Sequence, residues 1–134
     1  MDKENKLNKT DNIKEQVIDQ TREISPEILK SLKKVPKGNA GLVVIKGPIP
    51  GEKFLIKKDI FSIGRNYESD ILLDDITVSR NHALIEKSDK NYILKDLESL
   101  NGTYLNGNII NTAKLEHGDR IQIGKYIFMF FSYV

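Results

Sequence analysis

The chain has 134 residues, 39% of them apolar and 30% charged, with no cysteine and a net charge of +2. That length holds one core of roughly 100 residues and a tail more comfortably than two full domains, and the missing cysteines remove disulfides, thiolate nucleophiles and the usual zinc frameworks together. The longest unbroken apolar stretch, Tyr126 to Phe131, is far below the ~20 residues of a membrane helix.

Charge divides unevenly along the chain. Residues 1–40 carry nine Lys/Arg against seven Asp/Glu, and residues 41–134 carry twelve of each. No basic stripe with interleaved aromatics is present, so neither a nucleic acid nor a membrane is expected as a partner. The opening MDKENKLNKTDN has no apolar core segment or small-residue cleavage site, which leads us to expect a cytoplasmic protein.

Residues 1 to about 24 hold a few isolated aliphatics among polar residues and read as a flexible, solvated tail. The segment SPEILKSLKKVPKG then predicts a short amphipathic helix near 26–34. Ser25 can cap it, Pro26 suits the first position, Glu27 the positive end and Lys30, Lys33 and Lys34 the negative end, while Pro36 and Gly38 stop it. Ile28, Leu29, Leu32 and Val35 form the expected apolar face. So short a helix needs a surface to lie on, either its own domain or a partner. Residues 1–40 are accordingly assigned to a regulatory tail and 41–134 to a folded domain.

From Leu42 onward the runs LVVIK, KFLIK, FSIG, DILL, HALIEK, NYILKDL, IQIG and YIFMFF follow one another, separated by Gly, Asn, Asp and Pro clusters. Short strands at about ten-residue intervals with no helical period between them predict an all-β, antiparallel β-sandwich. In such a fold the loops gather at the ends, where several can meet on one ligand.

Three loops carry candidate chemistry. Gly64-Arg65 ends one predicted strand, Ser79-Arg80-Asn81-His82 leads into the next apolar run, and Asn101-Gly102-Thr103 opens a loop closed by Asn106-Gly107. Ser79 and His82 could be read as nucleophile and base, but a hydrolytic site also needs an acid behind the imidazole and an oxyanion site, and neither is visible. His117, in LEHGDR, reads as a plain loop residue, and Asp74-Asp75 as a solvated loop in preference to paired catalytic acids. The chain contains no GKS or GKT phosphate loop, no HExxH and no calcium loop, so no enzymatic activity, metal or cofactor is expected.

In their order and spacing these motifs, with the closing LEHGDRIQIG, resemble the forkhead-associated (FHA) domain, a phosphothreonine-binding β-sandwich, over residues 42–134. The resemblance implies that Arg65, Ser79 and Arg80 grip the phosphate, that Asn101 holds the peptide backbone beside it, and that His82 is a buried brace between the loops. It also implies that Gly64, Gly102, Thr103, Asn106 and Gly107 support those loops. The chemistry fits: guanidinium forks make charge-assisted hydrogen bonds roughly twice as strong as neutral ones. Leu100 stands where family members often have a small polar residue.

The arrangement of tail and domain further resembles the small bacterial FHA regulators of the GarA/OdhI type. That likeness implies a monomeric regulator whose tail threonine is phosphorylated by a Ser/Thr protein kinase. Its partners would be phosphothreonine-containing proteins and enzymes of 2-oxoglutarate metabolism. The tail departs from that group: it has IDQTREI with a single Thr21 where the group has a threonine pair. Thr21 and Thr10 each have isoleucine three residues on, at Ile24 and Ile13. Thr21 is the preferred phosphoacceptor, because it matches the placement in that group. A flexible linker of 20 residues from Thr21 to Gly41 would reach roughly 25 Å, enough for a tethered phosphothreonine to occupy its own domain at near-millimolar effective concentration. A plain phosphothreonine-dependent scaffold without this self-inhibition is the alternative.

Overall fold

The computed structural model describes residues 24–133; Thr10 and Thr21 lie outside the described residues. Among the described residues one helix, α1 (Pro26–Leu32), precedes eleven strands: β1 (Ala40–Lys46), β2 (Lys53–Leu55), β3 (Ile60–Gly64), β4 (Ile71–Leu72), β5 (Ala83–Ser88), β6 (Asn91–Asp96), β7 (Thr103–Leu105), β8 (Asn108–Ile110), β9 (Thr112–Lys114), β10 (Arg120–Ile123) and β11 (Tyr126–Ser132). They form two sheets, one of six strands in the order β2-β1-β11-β10-β7-β8 and one of five in the order β4-β3-β5-β6-β9. The expected β-sandwich is present. One pairing departs from the antiparallel rule, since β3 and β4 run parallel. The Asp70 carboxylate secures that join, accepting from the Ser62 backbone N–H at 2.8 Å and from the Ser62 hydroxyl at 3.1 Å.

Each predicted apolar run from Leu42 becomes a strand, but β7, β8 and β9 arise where a loop was expected. They are three residues each and mostly half-exposed or exposed, so no alternation announces them. The Asn106-Gly107 pair forms the two-residue turn of the β7–β8 hairpin, with φ of 50° and 87°. Both values lie in the left-handed region that a tight primed turn requires and that Asn and Gly tolerate.

The run Tyr126–Phe131 is continuously apolar because β11 is buried on both faces. It lies between β1 and β10, so it offers no sheet edge. Phe128 and Phe130 point into the sandwich with Leu42, Val44, Ile85, Leu94 and Ile121. Met129 and Phe131 point outward with Val43, and there they meet Ile28 and Leu32 of α1. The helix therefore docks on its own domain. At ~1.5–3 kcal/mol for each large side chain removed from water, Ile28 and Leu32 hold it there.

Ser25 caps α1 as expected, its hydroxyl accepting from the Ile28 N–H at 3.2 Å. The helix ends at Leu32, two residues short of the predicted boundary, and Leu29 faces solvent at 46% exposure. Packing explains both differences. The buried line runs through Ile24, Ile28, Leu32 and Val35, and Pro36 denies Val35 a helical conformation. Residues 24–40 are consequently not a free tether between Thr21 and Gly41. His117 does more than fill a loop: its Nδ1 accepts from the Ser132 N–H at 3.0 Å and its ring lies 5.5 Å from Tyr133, fastening the end of β11.

The two apolar clusters predict different responses to truncation. Phe128→Ala, in the sandwich core, should lower global stability by ~3–5 kcal/mol, measured by urea unfolding. Leu32→Ala should speed hydrogen exchange chiefly at α1 amides and leave strand amides protected, because the helix can open without the sandwich.

Candidate functional site

Arg65 follows β3 directly, and its place is fixed by backbone. Gly64 lies so close to the next loop that a Cβ would strike the Arg80 carbonyl oxygen. That approach lets the Arg65 N–H donate to the Ser79 carbonyl at 3.0 Å and the Asn66 N–H to the Arg80 carbonyl at 3.1 Å. The Arg65 side chain then donates from Nε to the Val78 carbonyl at 2.9 Å. One edge of the guanidinium is held, and its terminal NH2 groups remain for an anion.

Ser79 is gripped on three sides. Its carbonyl accepts from Arg65, its N–H donates to His82 Nδ1 at 3.0 Å, and its Oγ accepts from the Leu100 N–H at 3.0 Å. Because Oγ is the acceptor in that last bond, the hydroxyl proton is free to be donated. Arg80 is exposed. Asn101 donates from Nδ2 to the Thr77 carbonyl at 3.0 Å, which leaves its Oδ1 as a free acceptor. Arg65, Ser79, Arg80 and Asn101, separated by up to 36 positions in the chain, thus sit on loops joined by direct hydrogen bonds.

His82 lies underneath with 0% exposure. Its Nδ1 accepts from Ser79, so the proton is on Nε2, which donates to the Gly102 carbonyl at 2.9 Å. With both ring nitrogens occupied by backbone, His82 cannot act as a base toward the Ser79 hydroxyl. The Ser-His hydrolase reading has no geometry behind it.

Asp96 and Ser99, which the sequence reading passed over, complete the loop. The Ser99 hydroxyl donates to Asp96 Oδ1 at 2.5 Å and accepts from the Gly102 N–H at 3.0 Å, while the Thr103 hydroxyl donates to the same carboxylate oxygen at 2.7 Å. Burial works against ionisation of Asp96, but the hydrogen bonds from Ser99 and Thr103 outweigh it and hold its pKa below the usual carboxylate value. Asp75 acts likewise one loop away: hydrogen bonds from the hydroxyl and N–H of Thr77 lower its pKa and fix the turn before Val78. The available signal for both was an Asp two or three residues ahead of a Ser or Thr, the pattern of a side-chain-closed turn.

Not every residue singled out from the sequence belongs to this cluster. Asn106 and Gly107 lie at the far end of β7 from Gly102. There Asn106 Oδ1 accepts from the Arg120 N–H at 2.9 Å and Nδ2 donates to Asp119 at 3.0 Å. They anchor the hairpin to β10, three residues away from the loops that carry Arg65, Ser79 and Asn101. Among the described residues no group of His, Asp or Glu is placed to hold a metal, and no helix is long and apolar enough to cross a membrane.

Burial depresses the His82 pKa, against weaker opposite pulls from the Gly102 hydrogen bond and Asp96. The unfolded chain takes up a proton near the ordinary imidazole value of ~6.5 that the folded form resists. Stability conferred by neutral His82 is therefore complete above that pH and is lost as the pH falls below it. Urea midpoints measured from pH 8 down to 5 should be level at first and then decline. His82→Gln should flatten the portion near pH 6.

Residues 61–124 match the FHA domain family. An oxoglutarate dehydrogenase inhibitor of Corynebacterium jeikeium is 40% identical over 124 residues, covering 92% of this chain and 84% of that protein. The glycogen accumulation regulator GarA of Mycobacterium tuberculosis is 45% identical over 98 residues, which are 73% of this chain and 60% of GarA. A solved FHA domain from work on phosphothreonine-dependent FHA interactions superposes with a TM-score of 0.67 at 27% identity, covering 72% of this chain and 98% of that domain. By its sandwich, its loop motifs and these relatives, the chain belongs to the FHA family of phosphothreonine-binding domains.

Proposed function

We propose that Arg65, Ser79, Arg80 and Asn101 form one phosphothreonine-peptide site. Through it, in this reading, the chain regulates metabolic enzymes by direct binding, under control of kinase phosphorylation of its own tail. The observation that carries the site is the set of unspent donors and acceptors converging from three loops. The terminal NH2 groups of Arg65, the guanidinium of Arg80 and the hydroxyl proton of Ser79 suit a dianionic phosphate, and Asn101 Oδ1 suits a peptide N–H. Arginine clusters are the recurrent solution for phosphopeptide capture, and each charge-assisted bond contributes ~1.5–3 kcal/mol.

The name of the Corynebacterium relative, an oxoglutarate dehydrogenase inhibitor, supports enzymes of 2-oxoglutarate metabolism as the clients. The chain itself then acts as a monomeric cytoplasmic regulator that catalyses nothing. A Ser/Thr kinase acting on Thr21 or Thr10 would load the site from the chain's own tail and remove it from the client.

Arg65→Ala should weaken binding of a phosphothreonine peptide at least ~100-fold, in line with losing two charge-assisted bonds, while the circular dichroism spectrum stays that of the wild type. Ser79→Ala should cost about tenfold, in line with losing one hydrogen bond. Fluorescence polarisation reads both, and unchanged affinity in Arg65→Ala would refute the site. Kinase treatment followed by mass spectrometry should place phosphate on a tail threonine and lower affinity for an external phosphopeptide. Phosphorylation with undiminished affinity would leave a plain scaffold.

A further inference from the structure

We infer that the trough between the β1–β2 loop, α1 and β4 is a second docking surface, shaped for an unphosphorylated segment of a partner protein that carries apolar and basic side chains close together. Its lining includes none of Arg65, Ser79, Arg80 and Asn101, and the inference does not rest on the phosphothreonine reading.

β2 and β4 are end strands of their respective sheets, so the sandwich is open along the side where they approach each other. Phe54 of β2 and Leu72 of β4 line one hollow there, of about 330 Å³, together with Ile49, Glu52 and Tyr126. A second hollow, of about 430 Å³, lies between the loop and α1, with Glu27, Ile28, Ile49 and Glu52 in its wall. The two share Ile49 and Glu52 and so adjoin as one trough. Both volumes fall within the roughly 300–1,000 Å³ of concave ligand sites.

The apolar part of the wall is held open to solvent. Ile49 is 62% exposed and Leu72 41%. Ile49 stands between Pro48 and Pro50, whose rings fix two backbone φ angles. The loop is closed at its base by the Gly51 N–H on the Val44 carbonyl and the Val44 N–H on the Glu52 carbonyl, both at 2.8 Å. A partner therefore meets a wall that is already ordered, which lowers the entropic cost of binding. Exposed apolar side chains gathered at a concavity are the mark of an interaction surface.

Charge selects the occupant. Glu27 and Glu52 are exposed in the trough wall, and among the described residues neither carboxylate has an ion-pair partner. Lys53, the neighbouring cation, spends its Nζ on the Ser31 hydroxyl and carbonyl. Two uncompensated carboxylates oppose an anionic lipid surface, a nucleic acid or a phosphopeptide and favour Lys or Arg. A segment that places Leu, Met or Phe between Phe54, Leu72 and Tyr126, with a basic residue beside Glu52, meets both demands.

The test is titration of the full isotope-labelled chain with the acetylated peptide KLKFKL, followed by amide NMR shifts, with ELEFEL and KAKAKA as controls. Amides of Ile49, Gly51, Glu52, Leu72 and Tyr126 should shift saturably with KLKFKL and bind each control at least tenfold more weakly. Ile49→Ser, or Glu27→Gln combined with Glu52→Gln, should lower the affinity at least tenfold. All three side chains are exposed, so these variants keep the fold. Arg65→Ala, and saturation with a phosphothreonine peptide, should change nothing. Absence of a saturable shift at those amides, equal binding of either control, or loss of binding in Arg65→Ala overturns the inference. Sedimentation of the chain alone examines the rival occupant: a dimer dispersed by Ile49→Ser would put a second copy in the trough and overturn the assignment to a different protein.

Discussion

The loop end that carries Arg65, Ser79 and Asn101 depends on the pair of hydrogen bonds made by one buried imidazole. His82 takes the Ser79 N–H on Nδ1 and gives its Nε2 proton to the Gly102 carbonyl, joining the loop before β5 to the loop before β7. Those strands belong to different sheets. The ring can do both only as one neutral tautomer, and burial favours that neutral form. From Gly102 the same chain of bonds continues through Ser99 to Asp96 and Thr103, so the loops are held before any ligand arrives. Preorganisation of this kind spares a binding event the entropy of ordering its own site.

A held framework also explains how a domain with no net charge can select a dianion. Residues 41–134 carry equal numbers of acidic and basic side chains, so net charge supplies no attraction for phosphate. Selection has to be local, and it falls to groups with donors left over. Two carboxylates in these loops are already occupied: Asp75 by Thr77 and Asp96 by Ser99 and Thr103. Tying these acids into turns keeps them from competing for the guanidinium groups.

Much of this was legible in the sequence because the physics was local. Apolar runs between turn residues showed eight of the eleven strands, the Asn106-Gly107 pair announced its turn, and Ser25-Pro26 marked the start of α1. The order of the Arg65, Ser79 and Asn101 motifs pointed to three converging loops. Other features are properties of the assembled layers. Nothing in the three-residue strands β7–β9 separates them from loop, because half of a period-two pattern in three residues is no pattern. The parallel β3–β4 pair depends on Asp70 meeting Ser62 across a turn. The double-sided burial of β11 depends on a helix almost 100 positions earlier, and a sequence window cannot report which surface an amphipathic helix will choose.

That choice gives α1 its importance. Seven residues form too few hydrogen bonds to persist as a helix in water, so α1 exists only while Ile28 and Leu32 are covered. Undocking and melting are then a single event, and intermediate positions of the helix have little to stabilise them. A segment with only two states answers a graded perturbation with a threshold. The same contacts that shield Met129 and Phe131 from water thereby set how much free energy is needed before the outer face of β1 and β11 is exposed.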